Sequence, residues 1–410
     1  MRRAPLALAL LLLAAGAARA ETDGQSFDQI SRGRYLAAAG DCAACHTVPG
    51  GKPYAGGRPL ATPFGTLLAP NLTPDRETGI GAWSNDQFVA ALRDGTFPGG
   101  HLYPAMPYTY YTKMTRDDAL AIRAYLATLE PVRNEVVANQ LPFPFDIRAS
   151  MIGWNALFFT PGVFRPVTGK SAEWNRGAYL VEGLGHCGAC HTEKNFLGGD
   201  HSSRALQGGV LQGWFSPNVT ADSHVGIGSW SVDDIVQYLA TGHNRIAAAT
   251  GPMAEVVTDS TSKLSHDDLA AIATYLKDDQ PAGGSAPPAP IAADDSTMRA
   301  GAAIYVDQCA ACHAALGTGI VGLFPSLKGS PSVQSVDATS LIRVVLEGAQ
   351  SVATDPAPTG PAMPSFGWKL SDDQVAAVLT YIRNSWGNAA AAVSAGDVGK
   401  SRKQLSQAAQ

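Results

Sequence analysis

CAACH, at residues 42–46, places two cysteines three positions apart with a histidine directly after the second. The same five-residue pattern returns as CGACH at 187–191 and as CAACH at 309–313. The chain has six cysteines, and these three copies contain all of them. One such motif alone is compatible with a disulfide redox pair, part of a zinc site or the attachment point of a prosthetic group. Three copies predict three repeats of one structural unit.

The sequence on both sides of the motif is repeated as well. RGRYL (32–36) and RGAYL (176–180) precede the first two copies, while PNLTPDRETGIGAWSNDQF (70–88) and PNVTADSHVGIGSWSVDDI (217–235) follow them. The third copy is more divergent and begins RAGAAIYVDQ (299–308). The repeat therefore extends well beyond five residues, and we refer to the three units as repeats one, two and three.

Each repeat closes with a segment whose pattern is typical of a capped helix. The three segments are TRDDALAIRAYLATL (115–129), SHDDLAAIATYLKDD (265–279) and SDDQVAAVLTYIRNS (371–385). Each opens with Thr or Ser, carries Asp or Gln three positions later, and then places apolar residues at helical spacing. The sequence thus predicts an all-α chain built from three tandem helical units.

Shifts in composition indicate where the units end. Residues 280–293 are rich in Pro, Gly and Ala without periodicity, which is typical of a linker. The junction at 141–167 is dense in Phe and contains Trp154. It is either a connector packed across repeats one and two or an exposed apolar patch that docks a partner subunit or the membrane surface. The expected division is a signal peptide (1–20), repeat one (21–135), an aromatic-rich connector (136–170), repeat two (171–280), a Pro/Ala/Gly linker (281–293), repeat three (294–388) and a polar, frayed tail (389–410).

The N-terminal segment has the layout of a secretory signal peptide. Arg2 and Arg3 precede an apolar run rich in Leu and Ala, which ends in small residues at Ala20. The run is short for a membrane span, so we expect cleavage and export to the periplasm, with an uncleaved anchor as the alternative. The formal net charge of −5 gives no support to nucleic-acid binding, which requires a basic face.

The Cys-x-x-Cys-His spacing is the one that attaches haem c. Two thioether bonds join the cysteine sulfurs to the haem vinyl groups, and the adjacent histidine supplies an axial nitrogen to the iron. Cysteines three positions apart lie about one helical turn from each other and so reach one edge of the macrocycle. A zinc site would need further regular ligands, for which the chain has no spare cysteine, and a thioredoxin-like pair needs no histidine. We therefore expect three covalently bound haem c groups.

The second axial ligand is predicted from the methionines, of which the chain has seven. Met106, Met253 and Met363 follow the motif histidines of their own repeats by 60, 62 and 50 residues, each beside a proline and ahead of the last helix. A single methionine of this kind is usually a core side chain, but equivalent places in three repeats favour iron ligation.

Three other side chains compete for this role. His101 and His243 lie in the same segments as the first two methionines, although repeat three has no counterpart to them. Met114 falls at the start of a helix, where packing is the favoured role.

Five stretches together resemble the triheme cytochrome c subunit of membrane-bound alcohol, gluconate, sorbitol and fructose dehydrogenases. They are RGRYLAAAGDCAACHT (32–47), TGIGAWSNDQF (78–88), HLYPAMPYTYYTKMT (101–115), WNRGAYLVEGLGHCGACHT (174–192) and AAATGPMAEVV (247–257). The resemblance covers essentially the whole mature chain and implies three tandem class I-type cytochrome c domains.

The resemblance also implies a role for each motif residue. The haem attachment residues would be Cys42, Cys45, Cys187, Cys190, Cys309 and Cys312. The iron ligands would be His46, His191 and His313 on the proximal side and Met106, Met253 and Met363 on the distal side. The implied partners are a catalytic subunit with flavin, pyrroloquinoline quinone or a molybdenum cofactor, a third small subunit, and ubiquinone as electron acceptor at the periplasmic face of the cytoplasmic membrane.

Three functions are compatible with these motifs. An electron-transfer subunit without substrate chemistry is favoured, because the chain has no flavin or nicotinamide fingerprint and no nucleophile elbow. A multihaem peroxidase would require an iron without methionine, whereas every repeat offers one. A free-standing periplasmic shuttle is the third, and the aromatic junction argues against it because a shuttle has no obligate partner to dock there.

Overall fold

The computed structural model describes residues 26–278 and 286–408. The expected signal peptide and residues 281–285 of the expected linker lie outside the described residues. Each repeat has the same order of elements, namely a first helix, a short helix on the CxxCH motif, a turn-rich region, a middle helix and a last helix.

The bounds of the helices and strands follow the repeats. Repeat one contains α1 (Phe27–Ala39), α2 (Cys42–His46), β1 (Pro59–Thr62), β2 (Gly65–Leu68), α3 (Asn85–Asp94), β3 (Thr96–Phe97), β4 (Gly100–His101), α4 (Tyr108–Tyr111) and α5 (Arg116–Leu126). The connector contains α6 (Ser150–Phe158). Repeat two contains α7 (Ala172–Tyr179), continued by a π-helical turn (Leu180–Leu184), then α8 (Gly188–His191), β5 (Gly209–Leu211), β6 (Trp214–Ser216), α9 (Val232–Thr241), α10 (Pro252–Asp259) and α11 (His266–Asp278). Repeat three contains α12 (Ser296–Gln308), α13 (Ala310–His313), α14 (Pro331–Gln334), α15 (Thr339–Glu347), β7 (Ala349–Gln350), β8 (Ala362–Met363) and α16 (Asp372–Arg383), and α17 (Ala395–Ala408) follows it.

The last helices α5, α11 and α16 begin where the sequence predicts. The hydroxyl oxygens of Thr115, Ser265 and Ser371 accept the backbone N–H three positions on, at 3.2, 3.2 and 3.3 Å. Each cap satisfies an N–H group that has no partner inside its helix. The prediction of three capped helices is confirmed.

The first and last helices of every repeat cross at a glycine. A Cβ added at Gly33 would lie 1.8 Å from the carbonyl oxygen of Ala121, and one added at Gly301 would lie 2.2 Å from that of Ala377. In repeat two the same distance, from Gly177 to Ala271, is 1.9 Å. Only a residue without a Cβ lets the two backbones come this close. The divergent third repeat therefore shares the helix crossing of the other two.

Short antiparallel ribbons interrupt the expected all-α fold. Among the described residues, β1 pairs with β2, β3 with β4, β5 with β6, and β7 with β8. Each strand is two to four residues long, which is too short to show the alternating pattern by which strands are recognised in a sequence. The chain is mainly helical, in agreement with the expected all-α class, and the short ribbons are an addition that the sequence does not predict.

Repeats one and two share one hydrophobic core and are joined by reciprocal hydrogen bonds. Each of two buried aspartates accepts from an arginine of its own repeat and from a tyrosine of the other repeat. The bonds are Arg32 to Asp118 (2.8 Å), Tyr179 to Asp118 (2.5 Å), Arg176 to Asp268 (2.7 Å) and Tyr35 to Asp268 (2.6 Å). A buried carboxylate that lost these donors would be costly, so the two repeats depend on each other for stability.

Repeat three has a core of its own and meets repeat two through smaller contacts. The hydroxyl of Ser340 donates to the carbonyl of Phe215 (3.0 Å) and accepts from its N–H (2.8 Å). The Val352 side chain packs with Val257 and Met253 of repeat two in a small apolar cluster. Repeat three is thus attached to the pair, with its apolar core separate from theirs.

The connector packs inward on one side and is exposed on the other. Asn155 accepts from the Tyr108 hydroxyl (2.6 Å) in repeat one, and the Trp154 indole donates to the Leu197 carbonyl (2.9 Å) in repeat two. These two contacts are consistent with a connector that packs across both repeats. Its outer side nevertheless exposes apolar side chains, including Phe143 at 79% and Leu157 at 72%.

The C-terminal tail differs from the frayed end expected from its polar composition. Residues Ala395–Ala408 form α17, which packs on repeat three with Val398 fully buried. The Arg402 guanidinium donates to the Asp372 carboxylate (2.8 Å) and the Leu370 carbonyl (3.0 Å). Sparse apolar residues at helical spacing, separated by Ala and polar residues, are enough to hold this helix.

Candidate functional site

The three CxxCH motifs each fold into a short helix: α2, α8 and α13. This confirms the helical spacing that the motif requires. Asp41 (φ 53°) and His186 (φ 38°), which directly precede the first two motifs, adopt the left-handed conformation. Such residues break a right-handed helix, so they end the first helix and turn the chain into the motif.

The motif histidines make the same hydrogen bond in all three repeats. The Nδ1 atoms of His46, His191 and His313 lie 2.7, 2.7 and 3.0 Å from the carbonyl oxygens of prolines. The three acceptors are Pro70, Pro217 and Pro325. A carbonyl can only accept, so the proton is on Nδ1 and the lone pair on Nε2 is free for a metal.

The electrostatics of these histidines suit an iron ligand. Burial lowers the pKa of all three imidazoles, and the carbonyl hydrogen bond only partly opposes this effect. Burial disfavours the charged imidazolium form. The neutral imidazole is the form that binds a metal.

The pKa values of the cysteine thiols differ from those of a disulfide redox pair. Burial raises the pKa of Cys42 and Cys187 to about 12 and that of Cys45 and Cys309 to about 11. Disulfide exchange needs a lowered pKa, because the thiolate is the nucleophile. Across residues 26–278 and 286–408, no group of three or more His, Cys, Asp or Glu side chains is placed to hold a bare metal ion.

The predicted methionine ligands are partly buried in three different local structures. Met106 follows a turn and packs against the core that also contacts Cys42. Met363 lies in β8 and packs against the same core as Cys309. Met253 opens α10 and packs in the small cluster with Val257 and Val352. The structure thus associates the first and third methionines with the core of their own motif, and the second with the boundary of repeat three.

The competing side chains take other places. Met114 is 1% exposed inside the shared core, as expected for packing. His101 pairs with Thr96 across the β3–β4 ribbon, while His243 pairs with Ala248 across the corresponding bridge in repeat two. The two histidines therefore occupy opposite strands of equivalent ribbons. The Nδ1 atom of each is buried and has no hydrogen-bond partner among the described residues.

The surroundings of the motifs fit a haem. The Nε of Arg93 and the Nε1 of Trp230 are buried donors without an acceptor in the described part of the chain. Trp230 lies in the same core that contacts Cys187. Unpaired buried donors are rare in native proteins because each costs free energy. Haem carries propionate carboxylates, which are acceptors of the kind that these donors lack.

Comparison with known proteins agrees with this geometry. The family model described as cytochrome c matches residues 30–130 and 298–386. Over 405 residues the chain is 42% identical to the gluconate 2-dehydrogenase cytochrome c subunit of Pantoea cypripedii, covering 93% of this chain and 91% of that protein. It is 38% identical over 423 residues to the alcohol dehydrogenase (quinone) cytochrome c subunit of Gluconobacter oxydans, with 97% and 86% covered. It is 39% identical over 398 residues to the fructose dehydrogenase cytochrome subunit of Gluconobacter japonicus, with 89% and 81% covered.

The chain belongs to this family of dehydrogenase cytochrome c subunits. As such a subunit it binds haem c covalently and transfers electrons for a catalytic dehydrogenase subunit, and it is not the catalytic subunit itself.

Sequence reasoning missed the residues that orient this cytochrome's histidines. The proline acceptors lie 24, 26 and 12 positions beyond the histidines in the chain. A signal was present, since Pro70 and Pro217 open the repeated PNLT and PNVT stretches. The shorter spacing in repeat three concealed the equivalence of Pro325.

Proposed function

We propose that this cytochrome c subunit is a three-haem relay, which takes electrons from a periplasmic-side dehydrogenase and delivers them to ubiquinone. The histidine geometry carries the proposal, because all three repeats present a motif histidine whose Nδ1 bonds a proline carbonyl. The common glycine crossing of first and last helices supports three tandem class I-type cytochrome c domains. The match of the family model to repeats one and three is consistent with this division.

The chain's own residues would hold and insulate the cofactor. Haem iron, when bound, supplies a one-electron couple. The cysteine pair of each motif would hold the haem covalently, while the imidazole Nε2 and the methionine thioether would bind its iron. An iron held by both a histidine and a methionine would have no open site for substrate, which favours electron transfer over a peroxidase reaction.

The names of the relatives support the proposed partners. One relative is an alcohol dehydrogenase (quinone) subunit, which agrees with ubiquinone as the acceptor here. The catalytic partner would carry flavin, pyrroloquinoline quinone or a molybdenum cofactor, and a third small subunit would complete the complex.

We place the subunit at the periplasmic face of the cytoplasmic membrane, exported by residues 1–20. None of the described helices is long and apolar enough to cross a bilayer. The exposed outer side of the connector, with Phe143, Ile152 and Leu157, supports peripheral attachment because exposed apolar patches of this kind mark surfaces that contact a membrane or another protein.

Haem counting tests the relay. The purified chain should contain three haems by the pyridine haemochrome assay and by intact mass. Replacing both cysteines of one motif by alanine, for example Cys309 and Cys312, should reduce the count to two. The matched replacement of Cys187 and Cys190 should also give two, and a count unchanged by either pair would contradict the proposal.

Recovery from native membranes tests the partners. A tagged chain should bring down a catalytic dehydrogenase subunit, and the complex should reduce a ubiquinone analogue when substrate is supplied. Recovery of the chain alone would instead identify a free-standing shuttle.

A further inference from the structure

A single arginine joins the first CxxCH motif to α10, the helix of repeat two that carries Met253. The Arg58 guanidinium donates through Nη1 to the carbonyl oxygen of Ala44 (2.5 Å), which lies inside the CAACH helix α2. Through Nη2 it donates to the carboxylate of Glu255 (2.7 Å). Glu255 lies on α10, two residues beyond Met253. One side chain thus bridges the attachment helix of one site and the distal-ligand helix of the next.

The charges of this bridge reach the first attachment site. The Cys45 thiol lies within electrostatic range of both Arg58 and Glu255, and also of Cys190 in the second motif. Helix α10 also packs against the attachment helix α2, so the bridge lies where the first motif contacts repeat two. The Arg58 side chain is only 24% exposed, so water screens its charge incompletely.

The arginine of this bridge has no counterpart at the equivalent position of repeat two, where Lys194 instead donates to the Gly188 carbonyl of α8 (3.5 Å) and pairs with Asp200 of the same repeat. Gly56 and Gly208 occupy equivalent positions, since each bridges to the threonine that directly follows its own motif. Counting two residues on from each places Val210 where repeat one has Arg58. Val210 is 54% exposed, and its side chain has no hydrogen-bond donor. The second attachment helix therefore lacks this arginine.

We propose that Arg58 and Glu255 form a positioning and charge pair that fixes the first haem site against the second and sets the reduction potential of the first haem. The proposal rests on the haem relay proposed above. A positive charge near the site stabilises the ferrous form, which carries one positive charge fewer, while a negative charge stabilises the ferric form. Removing the two members of the pair should therefore move the potential in opposite directions.

Potentiometric titration of the three-haem holoprotein, followed by visible absorption, tests the sign. Arg58→Met should shift the equilibrium of the first haem toward the ferric form by about threefold to tenfold, as expected for one partly screened unit charge. Tenfold corresponds to about 59 mV for one electron. Glu255→Gln should shift it toward the ferrous form, the double variant should lie near the parent, and Arg58→Lys should recover part of the parent value. The component of the titration that belongs to the first haem is identified with a Met106→Ala variant, in which that haem alone should show a carbon-monoxide band.

Repeat three offers a matched control. Arg343 also bonds a carboxylate, Glu347 (2.9 Å), and a backbone carbonyl, that of Gln212 (3.3 Å), with a similar side-chain exposure of 22%. Arg343→Met should leave the first haem's potential unchanged. Shifts of the same sign in Arg58→Met and Glu255→Gln, or an unchanged potential in both, would refute the charge pair. A parent chain without three haems would instead refute the relay on which the pair depends.

Discussion

Replacing Gly177 by alanine should destabilise the unit formed by repeats one and two by about 3 kcal/mol. The added Cβ would lie 1.9 Å from the carbonyl oxygen of Ala271 and 2.8 Å from the Cβ of Tyr275. Carbon–oxygen contacts are ordinarily about 3.3 Å or longer, so α7 and α11 would have to separate by more than ~1 Å. Overpacking costs about 1–3 kcal/mol, and the upper end applies because the obstacle is helix backbone that cannot rotate away.

Thermal unfolding of the holoprotein, followed by circular dichroism, measures this cost. At ~2–4 °C per kcal/mol for a unit of this size, the midpoint should fall by about 6–12 °C. Gly153 is the matched control, because it lies in the helix α6 and has open space where a Cβ would be added. Gly153→Ala should be neutral or slightly stabilising, since alanine favours helix. A Gly177→Ala midpoint within about 1 °C of this control would refute the close crossing.

Three other outcomes follow from single side chains. Met363→Ala should leave haem attached to repeat three but open its iron to carbon monoxide, and an iron inert to carbon monoxide would exclude Met363 as the ligand. Burial tends to raise the pKa of Asp268, but hydrogen bonds from Arg176 and Tyr35 outweigh this effect, and the net result is a lowered pKa. The ionised carboxylate therefore stabilises the fold at neutral pH, and this contribution is lost as the pH falls through the lowered pKa. Asp268→Asn should therefore cost about 1–3 kcal/mol in urea unfolding at neutral pH and far less under acid conditions, whereas a pH-independent cost would contradict the ionic role. Arg383 is 1% exposed and donates to three backbone carbonyls. Arg383→Met should therefore destabilise repeat three by about 3 kcal/mol or more, and hydrogen exchange should show faster exchange of the amides of α16 while those of α5 are unchanged.

The elements that the sequence predicts well are those decided by neighbouring residues. The last helices were predicted because their caps and apolar faces lie within fifteen-residue segments such as 115–129. The CxxCH helices were predicted because the attachment chemistry itself requires that spacing. Because equivalent segments recur in three repeats, the predictions of the last helices and of the CxxCH helices support one another, which a single copy does not allow.

The features that the sequence did not predict depend on distant residues or on backbone atoms. A proline carbonyl that accepts from His46 has no side-chain signature, because every residue carries a carbonyl. The Tyr35–Asp268 and Tyr179–Asp118 bonds join residues of different repeats, whereas a repeat pattern suggests pairing within each copy. The helix α17 was missed because Val398 and Leu405 are too sparse to give a clear apolar face.

The hydrogen bonds that tyrosines make between repeats one and two constrain the order in which the chain can fold. The bond from Tyr179 to Asp118 cannot form before residue 179 is available, and the bond from Tyr35 to Asp268 cannot form before residue 268 is available. The unit formed by repeats one and two therefore cannot close until the chain is available as far as residue 268. Until then the first CAACH motif belongs to an unfinished unit, whereas the core of repeat three is built from its own residues and those of α17.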